Sequence, residues 1–253
     1  MKIAVVTGAS SGMGRDFVRQ LDAADTYDEI WVIARRRDRL ESLTADVRAP
    51  LRILALDLTK QESMEEYKAA LAECNPTVSV LVNGSGFGRF GAFKDYPLAD
   101  YYTMVDLNVK ALVAVTYATL PYMEKGGEIY QLGSLSSFQP VPYINVYGAT
   151  KAFVLSFSRA LNQELREAGI RVMAVCPGWV RTEFFDHAVT DDTIKYYNKF
   201  FDSDEVVRRA LKDMKRGKDV SICGFSVRAQ VLATKLLPHK LVMYIWQKQQ
   251  KKL

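Results

Sequence analysis

The sequence predicts one doubly wound α/β domain spanning residues 1–253, with a central parallel sheet of about seven strands and a helical substrate lid near 178–201. Three observations carry that prediction. Short β-branched runs alternate with helix-period segments, the runs are continuously apolar, and neither a linker-like stretch nor an internal repeat interrupts them. The strand candidates are residues 2–7, 29–34, 51–56, 78–83, 128–133, 171–176 and 219–223. Apolar residues at every position, rather than alternate ones, suit strands covered on both sheet faces. Helical patterns fill the gaps, clearly at 12–24, 61–73 and 147–168. After Pro177 the alternation stops, and an aromatic-rich insertion precedes a further helix whose start is marked by Asp202 with Glu205 three residues on.

Composition narrows the function classes. Hydrophobic residues make up 49% of the 253 and charged residues 25%, ordinary for a soluble globular protein. Cys74, Cys176 and Cys223 are scattered and odd in number, which argues against a disulfide framework or a metal site and for a reducing compartment. The chain opens directly on a strand pattern, with no signal-peptide pattern, and the apolar run 231–246 is broken by Lys235, Pro238, His239 and Lys240. A cytoplasmic location is the expectation. The net charge of +5 belongs to the tail: six lysines and arginines and no acid follow Val220, leaving −1 for the first 219 residues. A nucleic-acid-binding fold is therefore not expected.

The first strand runs into TGASSGMG, with Gly8, Gly12 and Gly14, and then into an amphipathic helix. Glycines allow a tight turn and close approach of backbone to a phosphate, and the helix N-terminus offers free N–H groups to it. Strand, glycine turn and helix in that order point to a dinucleotide. In VYGATK, Tyr147 and Lys151 are four residues apart and would share one helix face. An ammonium there favours phenolate. Lowering a phenol from ~10 to about 7 takes roughly 4 kcal/mol, of which a charge ~5 Å away at an effective dielectric of ~20 supplies roughly 3 kcal/mol. Tyr244 and Lys248 have the same spacing, so spacing alone does not choose between the pairs.

The order of these motifs resembles the short-chain dehydrogenase/reductase family, of the 3-ketoacyl reductase or hydroxysteroid dehydrogenase kind, up to about Gly224. The matching residues are TGASSGMG, LDLT with Asp57 and Leu58, NGSG with Asn83, Gly84 and Ser85, Asn108 in LNVKA, Ser134, YGATK, and PGWVRT with Pro177, Gly178, Val180 and Thr182. NGSG departs from the family's usual N-N-A-G but keeps small residues. The resemblance implies a Rossmann fold and selects Tyr147, which has Ser134 thirteen positions upstream, over Tyr244, which has Val231 there. It implies that Tyr147 gives a proton to a substrate carbonyl as hydride arrives, that Ser134 bonds the same oxygen, that Lys151 lowers the phenol pKa and holds the nicotinamide ribose, and that Asn108 holds a water beside Lys151. Gly8, Ser10, Ser11, Gly12, Met13 and Gly14 would cradle the dinucleotide. Pro177, Gly178, Val180 and Thr182 would bracket its carboxamide.

The second strand ends in Ala34 followed by Arg35, Arg36 and Arg37, where an NAD site normally has an acid. Guanidinium matches a 2′-phosphate, so NADP(H) is the expected cofactor, with Arg35 as its ligand, assisted by Ser10, and the next two arginines solvating the loop. Aromatic residues at 184, 185, 196, 197, 200 and 201, with more between 86 and 93, suit a hydrophobic ketone such as a steroid or fatty-acyl compound. A dinucleotide-binding sensor without turnover, or an epimerase or dehydratase using the same residues, are the alternatives. Homodimer or homotetramer formation is expected through helices near 108–124 and 147–168. The basic amphipathic extension 226–253 reads either as a helix packed on protein or as a peripheral membrane contact.

Overall fold

The computed structural model describes residues 1–189 and 193–251; lid residues 190–192 and tail residues 252–253 lie outside the described part. Seven parallel strands form one sheet in the order β3-β2-β1-β4-β5-β6-β9. They are β1 (Lys2–Thr7), β2 (Glu29–Ile33), β3 (Leu51–Leu54), β4 (Thr77–Asn83), β5 (Glu128–Leu132), β6 (Arg171–Val175) and β9 (Val220–Ser221). Every interior strand feeds both faces. Ala4 and Val6 of β1 point into one core layer with Phe17, Val32 and Met173, while Ile3 and Val5 point into the other with Trp31, Tyr67 and Leu81. This two-sided burial is why the strands read as unbroken apolar runs.

The first layer is closed by α1 (Gly12–Ala24), α2 (Arg37–Glu41) and α8 (Ser203–Lys215); the second by α3 (Gln61–Cys74), α5 (Leu112–Thr119) and α6 (Asn145–Glu164), while Tyr101 and Met104 of α4 (Leu98–Val105) join a third cluster with Phe90 and Tyr147. Edge strand β9 is shorter than the sequence suggests, and Asp213 of α8 pins it. That carboxylate, 1% exposed, accepts from Ser221 at 3.0 Å and from Arg209 at 2.8 Å. Burial alone would raise its pKa, but these bonds and Lys218 hold it below the usual range.

Over the sheet's carboxyl end lie β7 (Trp179–Arg181), α7 (Phe184–Ala188) and β8 (Phe200–Asp202), with β7 and β8 paired in parallel. Among the described lid residues only α7 is helical. Asp202 stands at the start of α8 but makes no side-chain cap; its carboxylate takes Arg181 at 2.8 Å across the β7–β8 pair instead. The tail folds as α9 (Phe225–Leu236) and α10 (His239–Gln249), split at Pro238. Gln250, fully buried, accepts from the amides of Lys195 and Tyr196 at 2.8 and 3.0 Å and fastens α10 to the lid. Among the described residues no helix is long and apolar enough to cross a membrane.

The order reversal between β1 and β4 brings three glycines into backbone contact. A Cβ on Gly14 would overlap the carbonyl of Gly8, and one on Gly8, whose φ is +70°, would lie 2.6 Å from Gly84. Gly126 also has a positive φ, +95°, but nothing lies within 4 Å of its would-be Cβ. Gly126→Ala should therefore cost about 1 kcal/mol from backbone strain, whereas Gly14→Ala should cost well beyond that because backbone must move. Denaturant midpoints for the two variants compare them; equal losses would contradict the close approach.

Candidate active site

At the switch point between β1 and β4 a cleft of about 320 Å³ runs along the carboxyl ends of the strands. Gly8, Ser10, Ser11, Gly12, Met13 and Gly14 form one wall, Gly84 and Ser85 the floor, and Asp57 and Leu58 the far end. Thr7 organises the floor. Its hydroxyl accepts from the amides of Gly84 at 3.0 Å and Ser85 at 3.2 Å, so the altered NGSG turn is tied to β1. Asn83 is turned away from the cleft, donating to Thr116 of α5 at 3.0 Å, and steadies the strand end.

Beyond β2 the chain aims its arginines unequally. Arg35 lines the cleft with an exposed side chain. Arg36 folds back and donates to the hydroxyls of Ser10 and Ser11, both at 3.1 Å, and to Glu183 at 2.9 Å. Arg39 of α2 reaches the same carboxylate at 3.2 Å. Arg37 only pairs with Glu41 at 3.9 Å and is the solvated one. Sequence spacing placed Arg36 in solvent because the direction of a side chain leaving a strand is fixed by the next element, here α2. Asp57 is held below the usual carboxylate range: burial would raise it, but Thr59 donates twice to it, and Arg35 and Lys60 stand nearby.

A narrower space of about 100 Å³ joins this cleft to a second pocket. Met13 and Gly84 lie on its cleft side, Lys151, Pro177, Val180 and Thr182 along it, and Ser134, Tyr147 and Gly178 where it meets the pocket. Ser134 sits at the end of β5 and starts a short 3₁₀ turn, Leu135–Phe138. Its hydroxyl accepts from the Ser136 amide at 3.2 Å, and Ser134 and Tyr147 line the same two spaces. Tyr147 and Lys151 share one face of α6, with the ammonium 5.6 Å from the ring centroid.

Both groups are strongly desolvated. Burial pushes the Tyr147 phenol up to about 12, with Ser134 pulling the other way. Burial also brings Lys151 down to about 8. The expected depression of the phenol by its lysine does not appear, because Lys151, brought to about 8, is neutral by the pH at which a phenol at about 12 would ionise; its amine donates to the Leu132 carbonyl at 2.6 Å. Asn108 lies in a wide π-type turn, Asp106–Ala111, between α4 and α5. Its amide accepts from Phe87 N–H at 3.0 Å, donates to the Phe87 carbonyl at 2.9 Å and donates to Thr150 at 3.1 Å. A Cβ on Gly86 would approach both Asn108 Oδ1 and Lys151 Nζ, so the two groups flank one glycine. Tyr244 is far from this constellation, half exposed on α10.

The second pocket, about 290 Å³, lies under the lid and the tail. Phe90, Trp179, Val242 and Trp246 wall it, and no charged side chain is among its described lining residues. Of the lid aromatics, Phe185, Tyr197 and Phe200 pack on one another and on Trp179, and Phe201 belongs to the main core. Tyr196 lines the pocket. Trp246 donates to the Pro142 carbonyl at 2.9 Å and stacks on Trp179. The sequence had no signal for this role, since a tail residue 67 positions from Trp179 reaches it only through the turn at Pro238. Among the described residues no cluster of histidine, cysteine and acid could hold a metal.

Known proteins share this fold. Residues 2–193 match the short chain dehydrogenase family. Sulfoacetaldehyde reductase 2 of Chromohalobacter salexigens is 37% identical over 188 residues, covering 72% of this chain and 74% of that protein. A short-chain dehydrogenase from Sphingobium yanoikuyae, solved in complex with NADPH, superposes with a TM-score of 0.81 at 30% identity, covering 96% and 95% of the two chains. The bulky-bulky ketone specific alcohol dehydrogenase from Comamonas testosteroni gives 0.77 at 28% identity over 96% and 94%.

The ionisation of Lys151 can be read from stability. Folded, it releases its proton near 8 against an ordinary 10.5, so between those values the folded state binds fewer protons and its stability rises with pH. The stability difference between the wild type and Lys151→Met should shift by about 3 kcal/mol in the wild type's favour from pH 8 to 10.5. A difference that stays flat in denaturant titrations across that range would contradict a buried ammonium.

Proposed function

The chain belongs to the short-chain dehydrogenase/reductase family, and from that premise we propose that it interconverts an apolar ketone and its secondary alcohol with NADP(H). The observation that carries the substrate class is the charge-free second pocket with Tyr147 and Ser134 in its wall. A carboxylate or sulfonate placed there would meet neutral donors such as Gln139, Asn198 and Gln249 but no counter-charge to offset its desolvation. In this the pocket differs from what the name of the sulfoacetaldehyde relative calls for.

The cleft suits a dinucleotide. Its glycines leave room that any Cβ would fill at Gly8 and Gly14, and α1 presents its N-terminus to the same space. Gly8 to Gly14 would hold the pyrophosphate, Asp57 and Leu58 the adenosine end, and Pro177, Gly178, Val180 and Thr182 the carboxamide, with Asn83, Gly84 and Ser85 shaping the floor. When bound, the cofactor supplies or accepts the hydride. Arg35 and Arg36 would take the 2′-phosphate, which replaces Glu183 as the anion on Arg36. Tyr147, kept neutral by burial, holds the proton destined for the carbonyl oxygen, and the Ser134 hydroxyl donates to that oxygen as negative charge grows on it. Lys151 faces the ring of Tyr147, and Asn108 locks the backbone at Phe87 against α6. Pairing of subunits as a dimer or tetramer would use α5 and α6, which leave Tyr117 79% and Phe153 40% exposed.

Two substitutions test the reading. Tyr147→Phe removes the proton donor and keeps the ring that packs on Phe90 and Phe184. Reduction of a bicyclic ketone, followed by NADPH absorbance, should fall at least about a hundredfold while NADPH affinity holds. Retained turnover would overturn the acid assignment. Arg36→Ala should weaken NADPH by about tenfold or more and leave NADH unchanged; equal effects on both would remove the 2′-phosphate role.

A further inference from the structure

The tail helices carry apolar residues on two opposite sides. On the inner side Val227, Val231 and Thr234 of α9, and Val242 and Trp246 of α10, pack on the lid and pocket. On the outer side Phe225, Leu232 and Leu236 recur along α9, exposed by 84, 59 and 75%. Leu241, Tyr244 and Ile245 do the same on α10, at 43, 52 and 41%. A helix that fills its place in the fold with one stripe has no folding use for a second, and contiguous exposed apolar stripes mark a contact surface. Lys240, Lys248 and Lys251 are interspersed in the same segment, Arg228 and Lys235 reach the Ile222 carbonyl and the Phe138 ring, and no acid occurs anywhere after Val220.

We propose that α9 and α10 together form a docking face for an anionic lipid bilayer. Charge selects this occupant. A second copy meeting the same face in a two-fold contact would set lysine against lysine with no acid from this segment to pair them. A surface of anionic headgroups suits the lysines of α10 and an unopposed basic segment, while Phe225, Tyr244 and the leucines enter the acyl boundary. Leu237 and Ile245 are both partly exposed and in the lining of the apolar pocket, so docking sets the pocket's rim against the membrane. The docking itself does not depend on the reaction proposed above.

Co-sedimentation of the full-length protein, loaded with NADPH, compares vesicles of phosphatidylcholine with and without phosphatidylserine, at physiological and high salt. Leu232→Glu and Leu236→Glu place acid on the outer stripe at positions outside the pocket, and thermal unfolding with NADPH confirms that they fold. The wild type should bind the phosphatidylserine vesicles about tenfold better than the neutral ones, lose that binding in high salt and lose it in either variant. Absence of binding to phosphatidylserine vesicles, or binding that survives both substitutions, overturns the proposal. Light scattering that shows the wild type self-associating and Leu236→Glu dissociating it also overturns it, since a second copy would then own the face.

Discussion

Everything in this molecule follows from one contact, the approach of the first strand's glycine turn to the end of β4 at the point where strand order reverses. Gly8, Gly14 and Gly84 meet through backbone alone, and Thr7 ties the floor with two amide bonds. That contact opens a cleft along the strand ends and points α1 into it. It also fixes where β5 ends, and so where Ser134 stands relative to Tyr147 on α6. The parallel sheet pays for no exposed face, because helices bury both, and the side chains free to do chemistry are those at the carboxyl edge.

Much of this was legible in the sequence. Both-sided burial makes the strands largely apolar on both faces, so all seven were placed within two residues at each end. The last of them, β9, is the shortest: only Val220 and Ser221 pair with β6, and Ser221 is also held by the buried carboxylate of Asp213. The glycine turn was legible as a local pattern between a strand and a helix, whereas spacing did not tell Tyr147–Lys151 from Tyr244–Lys248, and the family resemblance, with Ser134 thirteen positions upstream, made that choice. Other features depend on neighbours distant in the chain. Arg36 is oriented by α2 and by Glu183, 147 residues away. The Asp202 cap fails because Arg181 captures the carboxylate across a strand pair the sequence does not announce. The sign of the Tyr147 shift depends on burial, which spacing does not encode.

The tail shows how an extension can change a site without touching its reacting groups. Trp246 and Val242 turn an open side of the lid into an apolar wall, and Gln250 anchors that wall through two backbone amides. The packing of this segment on the lid and its exposed outer stripe are not rival readings. The inner side shapes the pocket, and the outer side remains available for a surface contact.

The central claim is that an uncharged pocket next to a buried phenol selects an uncharged carbonyl compound. Its most direct test is a matched pair: one bicyclic ketone and the same ketone bearing a carboxylate on the ring remote from the carbonyl, compared by kcat/KM with NADPH. The neutral ketone should be favoured by about a hundredfold or more, since the anion would be desolvated with no counter-charge in the pocket. Equal rates, or preference for the carboxylate, would contradict the account.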